Sequence, residues 1–239
     1  MAGISKVLET ELNGLKVNLF EFDIENEENF NEIKAYLVNK VIISKVHNIE
    51  EYDLTYYGTK NLNPDFGARF NEQVAKINIP KKTKIPQFDV RRERVTEWMA
   101  QYLLEQEYGC KFYDEADKRV NLKTVEIDKH TDGIDVPGIW IDNDRIRFVV
   151  CEVKASEANQ IPCDSVQSLQ QDIQKAIDDV DNRVSHEILE YIHGIRNVKM
   201  QDDILEKIVD FLANLIAGEK EDLADNIMFF PFLLRNNEK

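Results

Sequence analysis

Apolar residues recur at helical spacing over much of the chain and form near-continuous runs at a few points. Val95, Trp98, Met99, Tyr102 and Leu103 fall at 0, +3, +4, +7 and +8, the stripe of an amphipathic helix, and Gly109 marks its end. Further on, Val136 to Ile141 and Ile146 to Val153 are extended apolar runs separated by the polar pair Asn143-Asp144, which predicts a hairpin. Helical periodicity returns from Ser165 to about Ile195 through Leu169, Ile173, Ile177, Val180, Val184 and Ile188, and a second helix is predicted over Asp202 to Ala217, before Gly218. Ile227-Met228-Phe229-Phe230 and Phe232-Leu233-Leu234 predict a last strand broken by Pro231. The order helix, hairpin, helix, helix, strand predicts an α/β fold, a mixed central sheet flanked by helices.

The first 85 residues are less regular. Strand-like stretches at Lys16 to Ile24 and Val41 to Val46 flank a helical stretch around Glu28 to Val38. Residues 56 to 90, with Tyr56-Tyr57-Gly58, Pro64, Gly67, Pro80 and Pro86, read as an irregular connection. The expected organisation is an N-terminal α/β portion, 1–85, packed on or part of a core formed by 86–239. A chain of 239 residues can bury one sizeable core, and 43% hydrophobic with 31% charged residues suits a folded domain rather than a disordered one.

No apolar run approaches the roughly 18 residues of a membrane span, and the N-terminus has no basic-then-apolar leader pattern, so a cytoplasmic protein is expected. Cys110, Cys151 and Cys163 form no CxxC pair and are odd in number, which favours buried free thiols over disulfides or a thiolate zinc site. The net charge of −15 opposes a polyanionic partner. Two basic clusters, Lys81-Lys82-Thr83-Lys84 and Arg91-Arg92-Glu93-Arg94, bear on that objection: they are either a local DNA-facing patch or ordinary solvated charge.

The candidate chemistry lies in the second run of the hairpin. Glu152 and Lys154 are two apart in Phe148-Val149-Val150-Cys151-Glu152-Val153-Lys154, so a strand projects both from one face. The strand is apolar on both faces up to Glu152, as a central strand is, and charges at its end want a task. Asp135 lies 17 positions upstream, two residues after Gly133, and the hairpin returns it toward Glu152. Two such carboxylates can hold a hard divalent cation through oxygen, and a lysine beside them can stabilise charge on a phosphate or orient the attacking water. The plainer alternative is a same-face salt bridge at a sheet end, with Asp135 capping a turn.

Spacing alone is weak evidence, since Glu32-Ile33-Lys34 is also ExK; that copy reads as helix, where positions two apart do not face each other. Asp132 is either an outer support for a cation or a turn residue beside Gly133. His47, His130, His186 and His193 show no HxH or HExxH spacing, although His130 lies only five residues before Asp135. Walker A, GxGxxG and GxSxG patterns are absent, which leaves ATP hydrolysis, dinucleotide binding and lipase-type catalysis without support.

Gly133-Ile134-Asp135 followed by Val149-Val150-Cys151-Glu152-Val153-Lys154 resembles the core motif of PD-(D/E)xK nucleases. With Arg94-Val95-Thr96-Glu97-Trp98 through Leu104 ahead of it, residues 90 to 180 look like the HamA-type nuclease subunits of the bacterial Hachiman anti-phage system, at the level of motifs. The resemblance implies a restriction-endonuclease-like core and a Mg²⁺-dependent deoxyribonuclease, with Mn²⁺ as the alternative metal. It implies Asp135 and Glu152 as metal ligands, Lys154 as the catalytic lysine and Glu97 as a further catalytic carboxylate from the helix. It also implies DNA as substrate and a helicase partner, which suits an acidic chain that does not find DNA by itself. Glu97 points away from the Val95/Trp98 stripe, toward Ala100 and Leu104, so a solvated position stays open, with Glu93 as a substitute. Gln167, Gln170 and Gln171 fall where the family often has a glutamine, and each is equally an ordinary helix former. Two further readings remain: a catalytically silent nuclease-like subunit that binds a partner or senses DNA, and a stand-alone restriction or repair endonuclease.

Overall fold

A computed structural model of the chain describes residues 4–12, 15–23, 25–45, 88–116, 133–142, 145–156, 164–195, 202–217 and 226–235. In chain order these form β1 (Ile4–Leu12), β2 (Leu15–Phe22), α1 (Glu27–Lys45), α2 (Phe88–Tyr108), a 3₁₀ turn (Asp114–Ala116), β3 (Val136–Asp142) and β4 (Arg145–Ser156). They continue as α3 (Asp164–Asp178), a π turn (Val180–Val184), α4 (Ser185–Ile195), α5 (Asp202–Ala217) and β5 (Ile227–Arg235).

β4 is the central strand of a mixed sheet ordered β3-β4-β5. It pairs antiparallel with β3, Val136 opposite Cys151 and Ile141 opposite Ile146, and parallel with β5, Phe148 opposite Ile227 and Lys154 opposite Leu233. Its near-continuous apolar run follows from this position, because both faces are covered. Phe148 and Val150 pack with Ile188, Tyr191 and Ile192 of α4 and Ile204 and Ile208 of α5. Val149, Cys151 and Val153 face the opposite way, onto Ala100 and Leu104 of α2. The sheet is therefore a layer between helices, an α/β arrangement with mixed strand directions.

α2 is buried along two stripes. Ala100 and Leu104 meet the sheet, while Trp98 packs with Val41, Tyr36 and Leu37 of α1. The Val95/Trp98 periodicity therefore points at α1, and the sheet-facing stripe lies on the other side of the same helix. α2 ends where Gly109 adopts a φ of +66°, a conformation that glycine takes without a Cβ penalty. The N-terminal elements are tied to α2 by polar contacts as well: Tyr102 Oη donates to Glu32 at 2.8 Å, and Asn18 donates to Tyr108 Oη at 2.7 Å. Lys40 of α1 is buried against Asp114 at 2.9 Å.

Several details differ from the sequence-based expectations. Val41 to Lys45, read as strand, is the last part of α1; burial of Val41 against Trp98 outweighs the weak strand preference of the β-branched residues. Pro231 does not break the last strand, because β5 lies at the sheet edge, where a proline is tolerated without removing a central ladder hydrogen bond. The helical region 165–195 is two helices joined by the π turn, where Val184 N–H donates to Asp179 O at 3.2 Å. Arg91 and Arg92 lie within α2. The irregular connection, the boundary near residue 85, His47, His130, Asp132, Cys163 and the cluster at 81–84 lie outside the described residues. Cys110 and Cys151 are buried free thiols, and among the described residues no helix is long and apolar enough to cross a membrane.

Candidate metal centre

β4 carries its charge near its C-terminal end. Even-numbered residues face α3, α4 and α5, so Glu152 and Lys154 continue the face begun by Phe148 and Val150. The pairing of Val136 with Cys151 brings Asp135, one residue before β3, alongside Glu152. Asp135 Oδ2 accepts the Val153 N–H at 2.8 Å, a bond that fixes the carboxylate against β4. Two residues before Asp135, Gly133 has a φ of +138°, which L side chains rarely adopt, and a Cβ there would lie 3.0 Å from Glu187 Oε2.

Glu152 is buried, at 4% exposure. Burial pushes its carboxyl up to about 8, the neighbouring charge of Asp135 and a hydrogen bond with it push the same way, and the Arg183 guanidinium partly opposes them. Its Oε1 has no hydrogen-bond partner, and the nearest cation, Arg183 Nη2, stands 3.6 Å away, beyond hydrogen-bond length. The same Nη2 donates to the Gly133 carbonyl at 2.9 Å. A buried carboxylate oxygen without a partner is expensive, and a group that has one must be accounted for.

Lys154 reaches α3. Its Nζ lies 2.9 Å from Asp172 Oδ2, and Lys175 Nζ lies 3.0 Å from Asp172 Oδ1. Burial works against the Lys154 ammonium, but the hydrogen bond and charge of Asp172, with Asp135 and Glu152 behind it, outweigh that and raise its pKa above the ordinary lysine value. Burial likewise works against the Asp172 carboxylate, yet its two lysines hold it below the usual range. The lysine is thus charged and pinned on the same face as the two carboxylates.

Asp135, Glu152 and Lys154 therefore come together. Glu97 does not join them in a three-ligand group: among the described residues no set of three histidine, cysteine, aspartate or glutamate side chains is placed to hold a metal ion. Glu97 lies on the sheet-facing side of α2, one turn before Ala100, is largely buried and is ion-paired with Arg94. Its charge reaches the Cys151 thiol, whose pKa burial first and then the nearby carboxylates, Glu97 among them, push well up. It is therefore not a solvated surface residue, whereas Glu93 is exposed. Arg94 is buried too, so it adds nothing to a solvent-facing basic patch.

Gln167, Gln170 and Gln171 are exposed on the outer side of α3, and the residue that helix turns toward the site is Asp172. Asp172 lies three residues after buried Leu169 and four before buried Ala176, so helical spacing alone places it on the inner stripe. Arg183 carries no such signal, because the π turn shifts its direction. Glu32-Ile33-Lys34 is confirmed as helix, with Ile33 buried and Glu32 accepting from Tyr102. His186 and His193 are exposed on α4.

The donor set fits a hard divalent cation. It offers two adjoining carboxylates, one with a buried oxygen lacking a partner, and Mg²⁺ commonly takes one or two carboxylates while keeping several waters. Compared with protein-family models, curated proteins and solved structures, the chain matches none.

Proposed function

We propose that the chain is a metal-dependent deoxyribonuclease of the PD-(D/E)xK type with a restriction-endonuclease-like core, acting as the effector subunit of a helicase-associated anti-phage defence complex. The observation that carries this reading is the buried Glu152 oxygen without a hydrogen-bond partner beside Asp135, with a charged Lys154 on the same strand face. Asp135 and Glu152 would hold Mg²⁺ or Mn²⁺. The chemistry such a cation supplies when bound is Lewis-acid polarisation of the scissile phosphate and a water acidic enough to attack near neutral pH. Asp135, fixed by the Val153 amide, would supply one carboxylate, and Glu152, whose carboxyl burial pushes up to about 8, would have to ionise to supply the other. Lys154, held by Asp172, presents its ammonium to the phosphate oxygens as charge builds there. Glu97 enters this scheme as the helix carboxylate, supporting the sheet-facing side of the site.

The −15 net charge and the burial of Arg94 favour delivery of DNA by a partner over a stand-alone enzyme. The test is plasmid cleavage by the chain in Mg²⁺, alone and with a helicase, against Glu152→Ala, Lys154→Ala and a chelator. Loss of cleavage in both variants and with chelator supports the reading. No cleavage by correctly folded wild type in any of these conditions would leave a silent, partner-binding subunit as the better account.

A further inference from the structure

Arg183 stands at the edge of the carboxylate pair without being firmly held by it. The π turn between α3 and α4 carries it there, and extra residues of this kind within helices frequently mark functional sites. Ser185 Oγ caps the turn by donating to Val180 O at 2.6 Å, and buried Val184 anchors the adjoining position in the core. The Arg183 side chain is one-third exposed, at 34%. Its fixed contact is the hydrogen bond from Nη2 to Gly133 O, the backbone that leads into Asp135; its approach to Glu152 Oε1, at 3.6 Å, is too long for a hydrogen bond. Both contacts use the same nitrogen, so the rest of the five-donor fork has no hydrogen bond to a described residue.

The other two cations of the site are differently placed. Lys154 and Lys175 share Asp172, one on each oxygen. Asp172 thus offsets the charge of both lysines, although Lys175 is itself well exposed, whereas Arg183 makes no hydrogen bond to a carboxylate of a described residue. The planar guanidinium fork matches phosphate geometry, and Arg183 combines that fork with partial exposure and a rigid backbone tether.

We propose that Arg183 is the phosphate-anchoring residue of this site: it grips a phosphate of the nucleic-acid substrate while the Gly133 carbonyl holds one terminal nitrogen, Nη2. The proposal rests on the nuclease reading above. It makes Arg183 a substrate-contacting residue supplied by a turn outside the strand motif.

The test uses the full chain carrying Lys154→Ala to suppress cleavage, with a fluorescein-labelled DNA duplex, Mg²⁺ and anisotropy read over a salt series starting at low ionic strength. Arg183→Gln is expected to weaken binding roughly tenfold and to reduce the slope of log affinity against log salt by about 0.9, the signature of one lost phosphate contact. Arg183→Lys is expected to keep the slope, because the charge stays, while recovering only part of the affinity, because the fork is lost. A merely structural role leaves the slope unchanged even where affinity drops. Equal affinity and slope for Arg183→Gln and the parent would overturn the proposal while leaving the nuclease reading in place. A parent that binds no DNA at low salt would overturn the proposal, because an anchoring residue must confer affinity, while leaving in place a nuclease to which a partner delivers DNA.

Discussion

Replacing Glu152 by Gln keeps the shape of the side chain and removes its ionisation, which isolates the strongest electrostatic feature of the site. In the fold the Glu152 carboxyl is pushed up to about 8, against an ordinary value of 4.5. Between those values the folded protein holds a proton that the unfolded chain has released, so stability falls as pH rises across this window. Nothing is lost below 4.5, where both states are protonated, and the loss is complete above about 8. At ~1.4 kcal/mol per pH unit, this span sets a ceiling of about 5 kcal/mol, and relaxation of the site around the newly formed charge brings the expected loss to roughly 2–4 kcal/mol. Urea unfolding with chelator at about pH 5 and about pH 9 measures it: wild type should lose this much more stability than Glu152→Gln. Added Mg²⁺ should restore wild type at the higher pH and leave the variant unchanged, since a cation that binds only the folded state stabilises it. Parallel pH curves for the two proteins would refute the reasoning.

Three further perturbations probe how the site is held. Phe148 is buried with its ring edge-to-face against Tyr191 at 5.7 Å, so Phe148→Ala should cost about 3–5 kcal/mol in denaturant unfolding; a cost under about 1 kcal/mol would mean that the α4 face is not tightly packed. Lys40→Met leaves Asp114 largely buried without its cation and should cost about 3–5 kcal/mol, whereas Lys40→Met with Asp114→Leu should recover much of it; equal losses would show that the pair is not coupled. Gly133→Ala meets both the +138° φ and the Glu187 carboxylate 3.0 Å from the new Cβ, so it should cost roughly 1–3 kcal/mol and weaken Mn²⁺ binding measured calorimetrically. Unchanged Mn²⁺ affinity would separate Gly133 from the placement of Asp135.

The core of this site was legible because strand geometry is simple. The apolar run ending in Glu152 and Lys154 reads as a central strand, period-two alternation places both charges on one face, and the antiparallel pairing of β3 with β4 returns Asp135 to it. Asp172 was legible in principle, since Leu169 and Ala176 define its stripe, but three nearby glutamines drew attention to the outer side of α3. Arg183 was not, because a π turn breaks the 3.6-residue register from which helix faces are read. The periodicity of α2 showed its α1-facing stripe and hid the sheet-facing one, where small Ala100 sits between Glu97 and Leu104. Val41 to Lys45 lies in α1 despite its β-branched residues, because their preference for strands is weak and Val41 packs on Trp98.

In the proposed function Asp135 and Glu152 hold one divalent cation next to Lys154. Crystals soaked in Mn²⁺ near pH 8, with diffraction recorded for anomalous scattering, test this directly. The expected result is one strong anomalous peak between the two carboxylates, about 2.0–2.3 Å from an oxygen of each, that disappears in Glu152→Gln. A Mn²⁺ peak elsewhere on the molecule, with none between these residues, would contradict it.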